Sequence, residues 1–217
     1  MSHAVVTGGS GGIGSAVVER LRAGGWTVTS LSRREGCDVS DEGQVRAAFS
    51  RIDRLDALVH CAGVLVKKSI EDMAAGDWDA QLGSNLRGAF LCSREAFRLM
   101  RNDGGSIVMV SSLSGVAGAE KFPGMSAYVA AKSGLAGLTE ALAVEGRPHG
   151  IRVNAVSPGA VDTAMLRIAG VEGPRWQPAD VAGVIAWLAS PESWPVSGAN
   201  LRLDPTEAID GRGRSKK

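Results

Sequence analysis

The chain has 217 residues, of which 24 are Lys or Arg and 23 are Asp or Glu, for a formal net charge of +1. That length suits one ordinary domain with a sizeable core, and near-neutrality argues against phosphate-backbone binding, so no nucleic-acid partner is expected. A hydrophobic share of 44% and a charged share of 22% exclude wholesale disorder.

Short apolar runs alternate with helical patterns along the chain. His3–Thr7 reads as a strand, followed by a helix over Gly12–Ala23 with Ile13, Val17, Val18 and Leu21 on one face. Trp26–Leu31 and Ala57–Cys61 read as strands, with a short helix around Glu42–Ile52 between them. Trp78–Met100 reads as one long helix, Ser106–Ser111 as a strand, Ser126–Glu145 as a helix and Arg152–Val156 as a strand. A helix over Ala179–Leu188 and a strand over Asn200–Leu203 complete the series. Such alternation implies parallel strands joined by right-handed crossovers: an α/β fold, a single Rossmann-type doubly wound parallel sheet with helices on both faces. Between Leu31 and Cys37 there is no room for the helix that a full crossover would use. Residues 1–210 are expected to form one domain, and Gly211–Lys217 a disordered basic tail.

No segment approaches the ~20 apolar residues of a membrane span. The uncharged stretch Met1–Val18 is interrupted by five glycines and lacks a basic start, which argues against a signal peptide. Cys37, Cys61 and Cys92 lie 24 and 31 residues apart, a spacing that fits neither a disulfide framework nor a zinc site. The expectation is a cytoplasmic protein with reduced thiols, no metal and no membrane partner.

Thr7-Gly8-Gly9-Ser10-Gly11-Gly12-Ile13-Gly14 follows the first strand and opens the first helix. Glycines there let the backbone turn sharply and approach a pyrophosphate, whose charge sits on the helix N-terminus. They fit two spacings, Gly8/Gly12/Gly14 and Gly8/Gly11/Gly14. The second strand ends Ser30-Leu31-Ser32-Arg33-Arg34. A carboxylate at that point would hold the ribose hydroxyls of NAD, and two arginines stand there instead. Guanidinium suits a 2′-phosphate, so NADP(H) is the expected cofactor, with NAD(H) the alternative. Tyr128 is the chain's only tyrosine, and Lys132 follows it by four residues on the same face of a predicted helix. A phenol titrates near 10, and a neighbouring ammonium favours its ionised form.

With these motifs in place, the chain resembles the short-chain dehydrogenase/reductase family in its compact single-domain branch. The likeness runs in order through nearly the whole sequence. Gly8, Ser10, Gly12, Ile13 and Gly14 fall in the glycine loop, and Cys37-Asp38-Val39 resembles the adenine-contact segment. His60-Cys61-Ala62-Gly63 resembles the family's Asn-Asn-Ala-Gly, and Asn85-Leu86-Arg87-Gly88 the motif with the catalytic asparagine. Ser111-Ser112-Leu113-Ser114-Gly115 matches the serine segment, with Ser112 in the catalytic place and Ser114 as the alternative. Ser157-Pro158-Gly159-Ala160-Val161-Asp162-Thr163 resembles the loop that lines the nicotinamide.

The resemblance implies an enzyme that moves hydride between a nicotinamide and a carbonyl or secondary alcohol. Tyr128 would act as general acid or base, and Ser112 would hold the reacting oxygen. Lys132 would lower the phenol's pKa and hold ribose hydroxyls, and Asn85 would anchor a relaying water. Cofactor contacts are expected at Gly8, Ser10, Gly12, Ile13, Gly14, Arg33, Asp38, Val39, Ala62, Gly63, Pro158, Gly159, Val161 and Thr163, besides Tyr128 and Lys132. It also implies a homodimer or homotetramer built on the Trp78–Met100 and Ser126–Glu145 helices, where Ala127, Ala131, Gly134, Ala136 and Gly137 would permit close approach. The substrate pocket is expected along Met165–Trp176, with Met165, Leu166, Ile168 and Trp176 making it apolar.

Several positions depart from the family pattern. His60 and Cys61 replace paired asparagines, the 16-residue step from Ser112 to Tyr128 suggests an insertion within Gly118–Met125, and Pro205-Thr206 stands where two glycines are usual. Two other functional classes are less favoured. A sugar-nucleotide epimerase or dehydratase would need more chain after Gly159, and an idle cofactor-binding sensor would lack Tyr, Lys or Ser.

Overall fold

Six short runs of Val, Ile, Leu and Ala pair side by side, all parallel, in the computed structural model, which describes residues 2–205. They are β1 (His3–Thr7), β2 (Thr27–Leu31), β3 (Ala57–His60), β4 (Gly105–Val110), β5 (Ile151–Pro158) and β6 (Asn200–Leu203), in the spatial order β2-β1-β3-β4-β5-β6. Parallel pairing demands long crossovers, and helices supply them on both faces. One face carries α1 (Gly12–Ala23) and α7 (Pro178–Ala189). The other carries α2 (Glu42–Phe49), α4 (Gly88–Met100) and α5 (Ser126–Gly146), and α3 (Ala75–Leu82) leads into α4.

The strands alternate between two cores, as a pleat with both faces covered requires. Val5, Leu58, Ile107, Met109, Val153 and Ala155 pack with the α2, α4 and α5 side. Ala4, Val6, Val59, Val108, Val110 and Val156 pack with α1 and α7. Because the central strands β1, β3, β4 and β5 are covered on both faces, their runs are apolar at nearly consecutive positions, which is why the sequence marks them clearly, whereas the edge strands β2 and β6 are part-exposed and more polar.

The expected doubly wound sheet is therefore present. The boundaries of β1, α1 and β6 coincide with the expected ones, and the other strands and helices lie within a few residues of them. The long helix expected over Trp78–Met100 starts at Ala75 and is broken into α3 and α4 by a π-helical segment, Gly83–Arg87. A further short helix, α6 (Ala164–Ala169), was not expected; Thr163 caps it, accepting a 3.3 Å hydrogen bond from the Leu166 N–H, and Gly170 ends it. Leu31 and Cys37 are joined only by the single turn Arg33–Glu35, which leaves β2 as an uncovered edge strand. The basic tail expected at Gly211–Lys217 lies outside the described residues.

The strand order reverses at β1, whose neighbours are β2 and β3. That switch point opens a crevice at the C-terminal strand ends, where β1 passes directly into the glycine loop. Gly8 (φ 68°) and Gly12 (φ 52°) take left-handed conformations that side chains disfavour. A Cβ at Gly14 would overlap the Gly8 carbonyl oxygen, whereas one at Gly11 would meet nothing within 4 Å. Gly14→Ala is accordingly expected to cost on the order of 2–4 kcal/mol of unfolding free energy. Gly11→Ala should cost at most about 1 kcal/mol, and urea denaturation of both variants measures the contrast.

Candidate active site

Four segments meet at the C-terminal ends of the central strands. The first is α5, a 21-residue helix that brings Tyr128 and Lys132 onto one face one turn apart, both buried. The second is the turn Leu113–Gly115 after β4. A Cβ on Gly115 would stand 2.5 Å from the Lys132 carbonyl carbon, so only glycine lets this turn lie flat on α5. Ser111 Oγ donates to the Lys132 carbonyl at 2.8 Å and Ser133 Oγ to the Gly115 carbonyl at 3.0 Å, locking turn and helix together. Ser112 is thereby set beside the phenol of Tyr128, with which its side chain hydrogen-bonds. Its Oγ also accepts the Ser114 N–H at 3.1 Å. Ser114 lines the same cleft, but Ser112 is the one bonded to Tyr128.

The third segment is the π-helical turn, which buries Asn85 completely. Its Nδ2 donates to the Val64 carbonyl at 2.9 Å and the Gln81 carbonyl at 2.8 Å, while Oδ1 has no hydrogen-bond partner among the described residues. The fourth is the chain after β3. A Cβ on Gly63 would overlap Asn85 Oδ1 and lie 3.6 Å from Lys132 Nζ, so Gly63 is the gap through which amide and ammonium approach one another. Lys132 Nζ itself donates to the Val110 carbonyl at 2.8 Å and stands 5.6 Å from the centroid of the Tyr128 ring.

Burial governs the protonation states. Loss of hydration pushes the Tyr128 phenol up to about 12, opposed by its hydrogen bond with Ser112, and draws Lys132 down to about 8. The expected lowering of the phenol by Lys132 is thus absent from the protein alone, where desolvation outweighs a charge held 5.6 Å from the ring centroid. His60 is buried and held neutral, its pKa brought down to about 3 by burial and by the Lys132 charge. Its Nδ1 shares a 3.0 Å hydrogen bond with Thr7 Oγ1, which also accepts the Ala62 N–H at 3.2 Å. This bridge ties the end of β1 to the chain leaving β3, so the sheet-stabilising bond that the missing asparagines put in question is made by His60. Cys61, in the adjoining departure, is a free thiol whose pKa burial raises to about 12.

Along the rest of the crevice, α1 begins at Gly11 with no side-chain cap and no acidic residue in its first turn. A Cβ on Gly12 would lie 3.3 Å from Thr163 Cγ2, so the glycine loop and the loop after β5 face each other across the crevice. Ile13, Pro158, Gly159, Val161 and Thr163 line the cleft together with Ser112 and Tyr128. An uncapped helix start, glycines at close quarters and an absence of first-turn carboxylates suit a pyrophosphate, so the residues present fit a nicotinamide dinucleotide.

Asp38 and Val39, expected at the adenine, are tied into the chain around them. The Asp38 carboxylate accepts from the Ser40 N–H (2.9 Å) and Ser40 Oγ (2.7 Å), which holds its pKa below the usual range with a smaller contribution from Arg33. Val39 buries its side chain against Gly88, leaving only its backbone for any cofactor contact. Glu35, not singled out in the sequence, turns its carboxylate back onto Ser30 and Ser32 at the end of β2. A carboxylate therefore stands where the sequence had shown only arginines.

The cleft measures about 390 Å³. Met165 and Leu166 line it as expected, but Ile168 is 55% exposed and outside it, and Trp176 packs into the α1/α7 core with its Nε1 donating to the Leu203 carbonyl at 3.2 Å. Leu65, Phe122 and Met125 supply walls that were not expected from sequence; the last two lie in the segment suspected of an insertion. Pro205 also lines the cleft, and a Cβ on Gly159 would stand 2.5 Å from its Cδ.

The fold and this grouping of Ser, Tyr, Lys and Asn beside a glycine loop define a Rossmann-type oxidoreductase. A family model described as enoyl-(acyl carrier protein) reductase matches residues 33–205. An acetoacetyl-CoA reductase of Allochromatium vinosum is 35% identical across 93% of this chain and 96% of that protein. A 3beta-hydroxysteroid dehydrogenase of Mediterraneibacter gnavus is 37% identical across 74% of this chain and 66% of that protein. Among solved structures, ligand-free aldohexose dehydrogenase from Thermoplasma acidophilum superposes with a TM-score of 0.85 at 28% identity, covering 100% of this chain and 97% of that one. The chain belongs to the short-chain dehydrogenase/reductase family and is an oxidoreductase acting on CH–OH and C=O groups.

Burying Lys132 as a cation is costly, since its drop from 10.5 to about 8 corresponds to a differential on the order of 3 kcal/mol. Lys132→Met is therefore expected to raise thermal stability near pH 7. The sign follows from linkage: the unfolded chain binds the extra proton between about 8 and 10.5, so wild-type stability gains relative to the variant as pH rises through that window. Melting temperatures of the two proteins measured from pH 7 to 10 should converge.

Proposed function

We propose that this chain is an NADP(H)-linked reductase or dehydrogenase of carbonyl compounds or secondary alcohols with an apolar body. The observation that carries the reading is the Ser112–Tyr128 pair at one wall of a cleft whose other walls are the glycine-loop side and mostly apolar side chains, with Glu120, Glu172, Arg202 and Asp204 also in its lining. Arg33 and Arg34, beyond the end of β2, supply guanidinium charge for a 2′-phosphate.

When bound, the nicotinamide supplies hydride to the carbonyl carbon or accepts it from the alcohol carbon. In the reducing direction Tyr128 gives its phenolic proton to the carbonyl oxygen as negative charge develops there. Ser112 donates a hydrogen bond to the same oxygen, and its fixed position on the Leu113–Gly115 turn means little reorganisation accompanies that change. The phenolate left behind is stabilised by the Lys132 ammonium, the same charge that the free protein buries at a cost. Asn85, with an unpaired buried oxygen close to Lys132, holds a water that returns the proton from solvent. Gly8, Ser10, Gly12, Ile13 and Gly14 would receive the pyrophosphate, Asp38 and Val39 would hold the adenine end, and Ala62 and Gly63 would line the floor. Pro158, Gly159, Val161 and Thr163, which line the cleft, would hold the nicotinamide.

Leu65, Leu113, Phe122, Met125, Met165 and Leu166 make the substrate space apolar. They favour alicyclic and steroid-like ketones, or the acyl part of a 3-oxoacyl thioester, over open-chain sugars. Three free thiols suit a reducing cytoplasm. Phe90 on α4 (45% exposed) and Val144 on α5 (62% exposed) are apolar groups open for association, consistent with a homodimer or homotetramer. Of the small residues expected at that contact, Ala127 and Ala131 are buried within the chain and Gly134 packs on Leu86, while a Cβ on Gly137 would meet nothing within 4 Å.

Cofactor consumption against a panel of such ketones tests the reaction. Tyr128→Phe should lower kcat by about 10²–10⁴ while NADPH affinity stays within about threefold. Full turnover by that variant would remove Tyr128 from its role. Sedimentation should show a species of two or four chains, and a 22.4 kDa particle alone would contradict the assembly.

A further inference from the structure

We propose that Glu35 limits this chain's preference for a 2′-phosphate, holding its carboxylate where an adenosine ribose presents its 2′- and 3′-hydroxyls. The proposal rests on reading the cleft as a dinucleotide site. In sequence Glu35 lies four residues beyond the end of β2, behind two arginines, and looks like part of a solvated turn. The single turn Arg33–Glu35 brings it back. The Glu35 N–H donates to the Ser32 carbonyl at 2.9 Å, and the carboxylate Oε2 accepts from Ser30 Oγ at 2.9 Å and Ser32 Oγ at 2.6 Å.

Both donors belong to the crevice. Ser30 is on β2, and a Cβ at Gly9 would overlap its hydroxyl, so one side chain separates the Glu35 carboxylate from the glycine loop. Thr163 flanks the same loop at Gly12, on the side of Ser112 and Tyr128. The Glu35 flank is thus the one left for the adenosine end of an extended dinucleotide. The Glu35 side chain is exposed and its Oε1 takes no hydrogen bond among the described residues, so two ribose hydroxyls find an acceptor already placed.

Charge separates the two cofactors at this point. A ribose diol donates to the carboxylate without adding charge, whereas a 2′-phosphate sets a second anion beside it. Arg33 and Arg34 offset that repulsion only in part, because Arg33 already contributes to stabilising the Asp38 carboxylate. Solvent access at the β2 edge screens the conflict, so it adjusts the preference rather than excluding either cofactor.

The test is binding of NADH and NADPH to the full chain without substrate, followed by nicotinamide fluorescence. Glu35→Gln keeps the side chain's size and removes its charge, and Glu35→Ala removes both; the residue is exposed, and circular dichroism checks the fold. In either variant the ratio of the NADH Kd to the NADPH Kd is expected to rise about tenfold. A ratio within about twofold of wild type in both variants overturns the role of Glu35 while leaving the dinucleotide site standing. Failure of the wild-type chain to bind either dinucleotide overturns the site itself, and this inference with it.

Discussion

A buried ammonium organises the end of the crevice where Ser112, Tyr128 and Asn85 meet. Lys132 reaches the Val110 carbonyl at the tip of β4, lies against the gap left by Gly63, and carries on its own backbone the turn that presents Ser112. Each of these neighbours is positioned by meeting the same residue. Moving the charge would leave it unsolvated, and moving Gly63 or Gly115 would put a Cβ into Asn85 or into α5. The packing that buries Lys132 and Tyr128, and so lowers the one and raises the other, is the same packing that sets Ser112, Tyr128, Lys132 and Asn85 beside one another. A fold carrying this much buried polar chemistry gives up stability for function, and the surrounding apolar sheet supplies it.

The crevice has two ends of different character. At the Tyr128 end, glycines bring backbone to backbone and the Lys132 and Asn85 side chains are buried. At the β2 end, a single turn replaces a covering helix, β2 is an edge, and the polar groups are exposed and mutually bonded through Glu35. Electrostatics are strong at the first and screened at the second.

Much of this was legible in sequence because the central strands are buried on both faces and the glycine loop falls directly between a strand and a helix. The Tyr128–Lys132 pair was readable because a helix puts residues four apart on one face. Less legible were the contacts made across long separations. The substrate walls Leu65, Phe122 and Met125 come from loops, and nothing in their local pattern distinguishes them from core. Trp176 and Ile168 seemed suited to the pocket by their apolarity, yet one packs on the sheet and the other faces water. Glu35 was hidden because the sequence shows it after the arginines, and only the turn shows it returning to Ser30.

Glycine is abundant at 29 of 217 residues, and many of these glycines stand where two backbones or a backbone and a buried side chain meet. Sequence alone determined the parallel sheet, the glycine loop and the spacing of the reactive helix pair, because those follow from short-range periodicity and the stereochemistry of single residues. Tertiary structure alone decided that Ser112 faces Tyr128, that His60 bridges two strands, that burial sets the charges of Tyr128 and Lys132, and that a carboxylate stands at the end of β2. Those outcomes depend on which segments exclude water from one another, and that is a property of packing between residues far apart in the chain.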